Sequence, residues 1–120
     1  MDTVCVIDDE LPVRKAVVNL LKSEGYKAFS FPSGQSLIDC ECKSTISCIL
    51  MDLNMPGLTG RETYSRLLSA GYRIPVIYMS AETEGNDIEA VLMDDSVQLI
   101  AKPFTAETLL QALSAIVKEG

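Results

Sequence analysis

The stretch Cys48-Ile49-Leu50-Met51-Asp52-Leu53-Asn54-Met55-Pro56-Gly57 decides how this chain folds. It is an apolar run that stops at a carboxylate and is followed by a loop containing Pro and Gly. A short apolar run bounded by turn residues is the pattern of a strand buried in a parallel sheet. Such a strand would carry Asp52 to its carboxyl end, where open α/β sheets place their ligands. Taken alone, Asp52 is an ordinary turn residue, because Asp side chains bond their own backbone in turns. What stands at the ends of the other strands decides between the two readings.

Upstream, Thr3-Val4-Cys5-Val6-Ile7 is continuously apolar after its first residue and stops at Asp8-Asp9-Glu10. Pro12 suits the first turn of a helix, where its missing N–H is no loss. Val13, Ala16, Val17, Leu20 and Leu21 share one helical face, and Gly25 is placed to end that helix. Tyr26 to Phe31 alternates apolar and polar residues, as a more exposed edge strand does. Ser33 can cap a short helix through about Cys40, with Leu37 and Ile38 turned inward. Glu41 to Thr45 is a polar connector to the strand Ile46–Met51.

Downstream, Tyr64, Leu67 and Leu68 mark a helix that Gly71 terminates. Pro75-Val76-Ile77-Tyr78-Met79 is another buried strand, ending at Ser80. After the polar loop Glu82–Asn86, Ile88, Val91 and Leu92 give the next helix a thin apolar stripe. Val97 to Ala101 is a short strand that ends at Lys102-Pro103. Thr105 can cap a last helix with inner residues Leu109, Leu110, Leu113, Ile116 and Val117. Strands alternating with helices imply parallel βαβ units. The prediction is an α/β, flavodoxin-like (βα)5 three-layer sandwich, with residues 1–120 forming one domain.

Composition narrows the function classes. The 120 residues are 48% hydrophobic and 6% aromatic, so one domain with an aliphatic core is expected. The net charge is -7, which provides no basic patch for nucleic acid. There is no His, so imidazole base catalysis and His-ligated metals are excluded. Cys5 and Cys48 fall in apolar runs and read as small core residues. Cys40 and Cys42 are too close in sequence to be an ordinary zinc arm. Neither a signal peptide nor a run of the ~20 apolar residues of a membrane span is seen. The expected setting is cytoplasmic, with reduced thiols.

The strand ends carry the chemistry. Asp8 and Asp9 follow the first strand, Asp52 the third, Ser80 the fourth and Lys102 the fifth. In a parallel sheet these ends share one edge. Clustered carboxylates repel and take up protons unless a cation is present, and an oxygen-only set suits Mg²⁺. An ammonium and a hydroxyl beside the metal would surround a transferring phosphoryl group. A carboxylate can be the nucleophile and form an aspartyl phosphate. Asp52 is the candidate, being single and central.

Val6-Ile7-Asp8-Asp9-Glu10, Leu50-Met51-Asp52-Leu53-Asn54-Met55-Pro56-Gly57-Leu58-Thr59-Gly60, Pro75-Val76-Ile77-Tyr78-Met79-Ser80-Ala81 and Ala101-Lys102-Pro103-Phe104 together resemble the receiver domain of two-component response regulators. The resemblance covers essentially the whole chain. It implies the strand order 2-1-3-4-5. It implies that Asp52 accepts a phosphoryl group from a sensor histidine kinase, in a signalling domain that is not an enzyme beyond its own phosphotransfer and dephosphorylation. Mg²⁺ would be held by Asp9, Asp52 and the Asn54 backbone carbonyl, with Asp8 acting through water. Lys102 would pair with phosphoryl oxygens, Ser80 would report the phosphate, and the Lys102-Pro103 bond would be cis.

Phe31-Pro32-Ser33 and the Pro56–Gly60 loop look closest to the FixJ-like branch, whose members usually carry a DNA-binding output domain. Partners implied are the kinase and either an effector domain outside this chain or a second copy. A second copy would dock on the face of the fourth helix, fifth strand and fifth helix. No direct nucleic-acid or membrane contact is expected of this domain.

Two features depart from the family: Leu99 stands where many receivers have an aromatic switch residue, and Met93-Asp94-Asp95-Ser96 replaces a common Ala-Gly. Leu99 leaves open a non-phosphorylated interaction module on the same fold. An FMN-binding flavodoxin is disfavoured because Asp8-Asp9-Glu10 would repel the FMN phosphate. A haloacid-dehalogenase-type phosphatase would want an acid where Asn54 stands.

Overall fold

The structure, a computed structural model, describes residues 2–82 and 84–117, with Val117 described by its backbone alone. Five strands alternate with five α-helices: β1 (Thr3–Ile7), α1 (Leu11–Ser23), β2 (Lys27–Phe31), α2 (Gly34–Asp39), β3 (Cys48–Asp52), α3 (Gly60–Ser69), β4 (Val76–Ser80), α4 (Asn86–Leu92), β5 (Gln98–Ala101) and α5 (Ala106–Val117). The sheet is parallel in the order β2-β1-β3-β4-β5. The α/β sandwich and its strand order agree with the sequence reading.

The central strands β1, β3 and β4 are almost wholly apolar because both faces of the sheet are covered there. Cys5, Ile7, Ile49, Met51 and Tyr78 point to one core, closed by Leu37, Leu67, Ile88 and Val91 from α2, α3 and α4. Val4, Val6, Cys48, Leu50, Ile77 and Met79 point to the other, closed by Val17, Leu21, Leu109 and Leu113 from α1 and α5. Neighbouring residues along a strand serve opposite cores, as the two-residue period requires. β2 at the edge is only half-buried, which matches its alternating sequence.

The helix boundaries have local causes. Ser33 accepts a hydrogen bond from the Ser36 backbone N–H at 3.1 Å and caps α2. Thr59 and Glu62 form a reciprocal capping box at α3. Thr105 accepts from the Thr108 N–H at 3.1 Å and caps α5. Gly25 and Gly71, each at φ 93, follow α1 and α3, and this left-handed conformation is one that glycine adopts freely.

Three expectations are corrected. Leu92 does not join the apolar stripe of α4: it is 67% exposed, while Ile88 and Val91 are buried. Leu92 is four residues from Ile88, but α4 ends there and none of the described residues covers that side of its last turn. On α3, Leu68 is exposed and Thr63 is the buried residue beside Leu67. Cys40 and Cys42 are not free thiols; they are joined by a disulfide. The turn after α2 brings their Cα atoms to 5.4 Å, a span that a disulfide bridges readily. In α5, Leu109 and Leu113 are buried and Leu110 and Ile116 half-buried. The inward placement expected of the Val117 side chain, and Thr83 of the polar loop, lie outside the described residues.

Candidate functional site

The connection from β1 runs to one side of the sheet and that from β3 to the other. Their carboxyl ends therefore part at a topological switch point, where α/β folds open a crevice. Asp8 follows β1 and Asp52 ends β3. Asp8, Asp9 and Asp52 each offer a carboxylate oxygen within 4.8 Å of the other two. Asp8 is fully buried, Asp52 nearly so, and Asp9 is exposed to solvent.

Lys102 enters from the end of β5. Its Nζ donates to Asp8 Oδ2 at 2.7 Å and to Asp52 Oδ2 at 3.2 Å. These contacts link residues 94 and 50 positions apart in sequence. The remaining carboxylate oxygens are held by backbone: Glu10 N–H donates to Asp8 Oδ1 at 2.9 Å, and Asn54 N–H to Asp52 Oδ1 at 3.1 Å. The Lys102-Pro103 peptide is cis, as expected.

Burial pushes the Asp52 carboxyl above its ordinary pKa, and the charge of Asp8 adds to that rise. The Asn54 N–H and the Lys102 ammonium oppose it. For Lys102, burial works against the cation, but the hydrogen bond to Asp8 and the charges of Asp52 and Asp8 outweigh it, so its pKa is raised. The ammonium stands as the counter-charge of two carboxylates buried on either side of it.

Ser80 is buried at the end of β4, but its hydroxyl is engaged locally. It donates to the Glu82 carbonyl at 3.1 Å and accepts from the Glu82 N–H at 3.1 Å. The structure thus brings Asp8, Asp9, Asp52 and Lys102 together, with Asn54 at the rim and the Ser80 hydroxyl turned into the following loop. Leu99 lies half-buried on β5, paired in register with Tyr78.

Two contributors were not singled out from sequence. Arg14, one turn into α1, donates from Nη1 to the Asp8 carbonyl oxygen at 2.7 Å and ties the acidic loop to the helix. Its place near an acid pair was the available signal. Gly60 opens α3 against the end of β3: a Cβ there would stand 2.7 Å from the Asp52 carbonyl oxygen and 3.0 Å from Leu53 Cα. Only glycine permits that approach, and the Gly60 N–H uses it to donate to the Leu53 carbonyl at 3.0 Å.

The family model described as the response regulator receiver domain matches residues 4–114. The chain belongs to this family. Relatives include nodulation protein W of Bradyrhizobium diazoefficiens, 26% identical over 93% of this chain and 49% of the relative. Another is transcriptional regulatory protein TdiR of Thauera aromatica, 27% identical over 94% of this chain and 50% of the relative. The chain spans about half the length of these relatives. Among solved structures, chemotaxis protein CheY4 of Vibrio cholerae superposes with a TM-score of 0.85 at 26% identity, covering 98% of this chain and 99% of that one. A receiver protein from Burkholderia phymatum gives 0.82 at 30% identity, covering 98% and 96%. This is a receiver domain of two-component signalling, the module that takes the phosphoryl group in such systems.

Proposed function

We propose that Asp52 is the phosphoacceptor of this receiver, and that residues 1–120 act as one phosphorylation-controlled switch. The observation that carries this reading is the buried Asp52 carboxylate, bonded to Lys102 and facing the carboxylates of Asp8 and Asp9. An Asp52 oxygen attacks the donor phosphorus. A P–O bond forms, the bond from phosphorus to the donor's imidazole nitrogen breaks, and the leaving nitrogen keeps the electron pair. Because the carboxylate is desolvated, it is not shielded by water as it attacks.

Three carboxylate oxygens in this space form a hard, all-oxygen donor set that fits Mg²⁺. Asp9, Asp52 and the Asn54 backbone carbonyl would hold the ion, with Asp8 acting through water. Bound there, Mg²⁺ supplies positive charge to the phosphoryl oxygens. Lys102, bonded to both carboxylates, would pass to a phosphoryl oxygen on Asp52. Ser80 exchanges its bond to Glu82 for one to the phosphoryl group, and that exchange pulls on the β4–α4 loop. The domain is a switch rather than an enzyme acting on a separate substrate.

The donor is a sensor histidine kinase, as the two-component family supports. The recipient of the signal is an output domain, a partner or a second copy docked on the α4–β5–α5 face. Relatives with regulatory names, and the Pro56–Gly60 loop, favour a FixJ-like regulator. Among the described residues, no helix is long and apolar enough to cross a membrane, which is compatible with a cytoplasmic setting. The test is labelling with acetyl phosphate. Label is expected with Mg²⁺, is lost with a chelator, and is lost in Asp52→Asn. Equal labelling of Asp52→Asn and the parent protein would refute the assignment.

A further inference from the structure

We propose that the Cys40–Cys42 disulfide is a reversible two-electron redox site, opened and closed by thiol–disulfide exchange with a dithiol reductant while the domain stays folded. It lies at the carboxyl end of α2, and the phosphoryl transfer proposed for Asp52 does not use it.

The surrounding backbone does not depend on the bond between the sulfurs. Cys40 N–H donates to the Leu37 carbonyl at 3.1 Å, Thr45 N–H to the Cys42 carbonyl at 3.0 Å, and Ile46 N–H to the Lys43 carbonyl at 3.2 Å. Lys43 Nζ donates to the carbonyls of Ile38, at 2.7 Å, and of Cys40. The same ammonium stands 5.3 Å from the centre of the Tyr72 ring, so the turn is also clamped to the segment after α3. The disulfide adds a ring across a separation of only two residues. So small a ring removes little freedom from the unfolded chain, and opening it leaves every one of these contacts in place.

The two sulfurs are not equivalent. The Cys42 backbone N–H donates to Cys40 Sγ at 3.0 Å, and Lys43 holds its charge on the Cys40 carbonyl. A thiolate at Cys40 is therefore stabilised, which makes Cys40 the better leaving group. The reductant's thiolate attacks Cys42 Sγ. The Cys40–Cys42 bond breaks, its electron pair leaves on Cys40, and a mixed disulfide joins Cys42 to the reductant. The reductant's second thiolate then attacks its own bound sulfur and expels Cys42 as thiolate. Two electrons pass to the protein, the two protons given up by the reductant's thiols supply Cys40 and Cys42, and the reductant leaves as a disulfide. The reverse sequence closes the ring.

Both partners are half-buried and so within reach of another thiol. The other cysteines are not: Cys5 and Cys48 are fully buried in the two cores, and burial pushes each thiol up to about 12.

The test uses the whole chain, held natively folded in dithiothreitol buffers from fully oxidised to fully reduced, then alkylated and mapped by mass spectrometry. The expected result is no label after the oxidised buffer and two labels, on Cys40 and Cys42, after the reduced one. The curve follows a single two-electron transition, and Cys5 and Cys48 stay unlabelled. Far-ultraviolet circular dichroism and a cooperative melt persist in the reduced form. In the reduced protein, thiolate absorbance of Cys42→Ser titrates at lower pH than that of Cys40→Ser, because only the former keeps Cys40. Labelling of Cys40 and Cys42 after the oxidised buffer, or reduction only where the chain unfolds, would overturn the proposal.

Discussion

At the crevice, Asp8 is fully buried and both of its carboxylate oxygens are bonded, one to Lys102 and one to the Glu10 N–H. On α4, Leu92 is 67% and the following Met93 86% exposed. That helix begins at Gly85 with no side-chain cap. At the surface it meets α3 through a solvent-exposed pair, Arg61 to Asp87 at 3.0 Å. α3, by contrast, opens with a complete capping box on the crevice side. One region is held in place by buried charge, backbone N–H groups and a glycine contact; the other is held by the buried Ile88 and Val91 and otherwise by surface contacts of small energy. A switch needs this division, because chemistry wants fixed groups and the readout must move at modest free-energy cost.

The largest effect is expected where the crevice's counter-charge is removed. Lys102→Ala should slow labelling by acetyl phosphate by about 100-fold or more, the scale for losing one pre-arranged donor to developing negative charge. Labelling kinetics at fixed Mg²⁺ check this. A near-parental rate would mean that Lys102 serves structure alone.

Next comes Gly60→Ala. The added methyl meets the Asp52 carbonyl and Leu53 Cα, backbone atoms that cannot rotate away. A loss of about 1–3 kcal/mol in urea unfolding is expected. Thr59→Ala, which removes the cap of the same helix, should cost about 1 kcal/mol by the same measurement.

The smallest effect should fall on the other region. Both members of the Arg61–Asp87 pair are nearly half exposed, so Arg61→Ala should lower stability by less than about 1 kcal/mol, and the difference should shrink in high salt. A larger loss would show that α4 is held as firmly as the crevice.

The sequence disclosed most of what repeats. Strands covered on both faces announce themselves as unbroken apolar runs, and polar residues at their ends stood out against that background. Asp8, Asp9, Asp52 and Lys102 were legible because topology alone converges them. Features that depend on three-dimensional approach were not. Nothing in the string shows that Arg14 reaches the Asp8 carbonyl, or that Gly60 packs against backbone. Nor does spacing show that the turn after α2 brings Cys40 to Cys42, or that Ser80 spends its hydroxyl on Glu82. Leu92 was misplaced because a helical stripe presumes a helix that continues and a neighbour to cover it.

One buried carboxylate, that of Asp52, is proposed to take the phosphoryl group. Labelling with acetyl phosphate and Mg²⁺, followed by borohydride reduction and peptide mapping, marks the carboxyl group that carried it. The mark is expected on Asp52 alone. A mark on Asp8 or Asp9, or on no residue of the crevice, would contradict it.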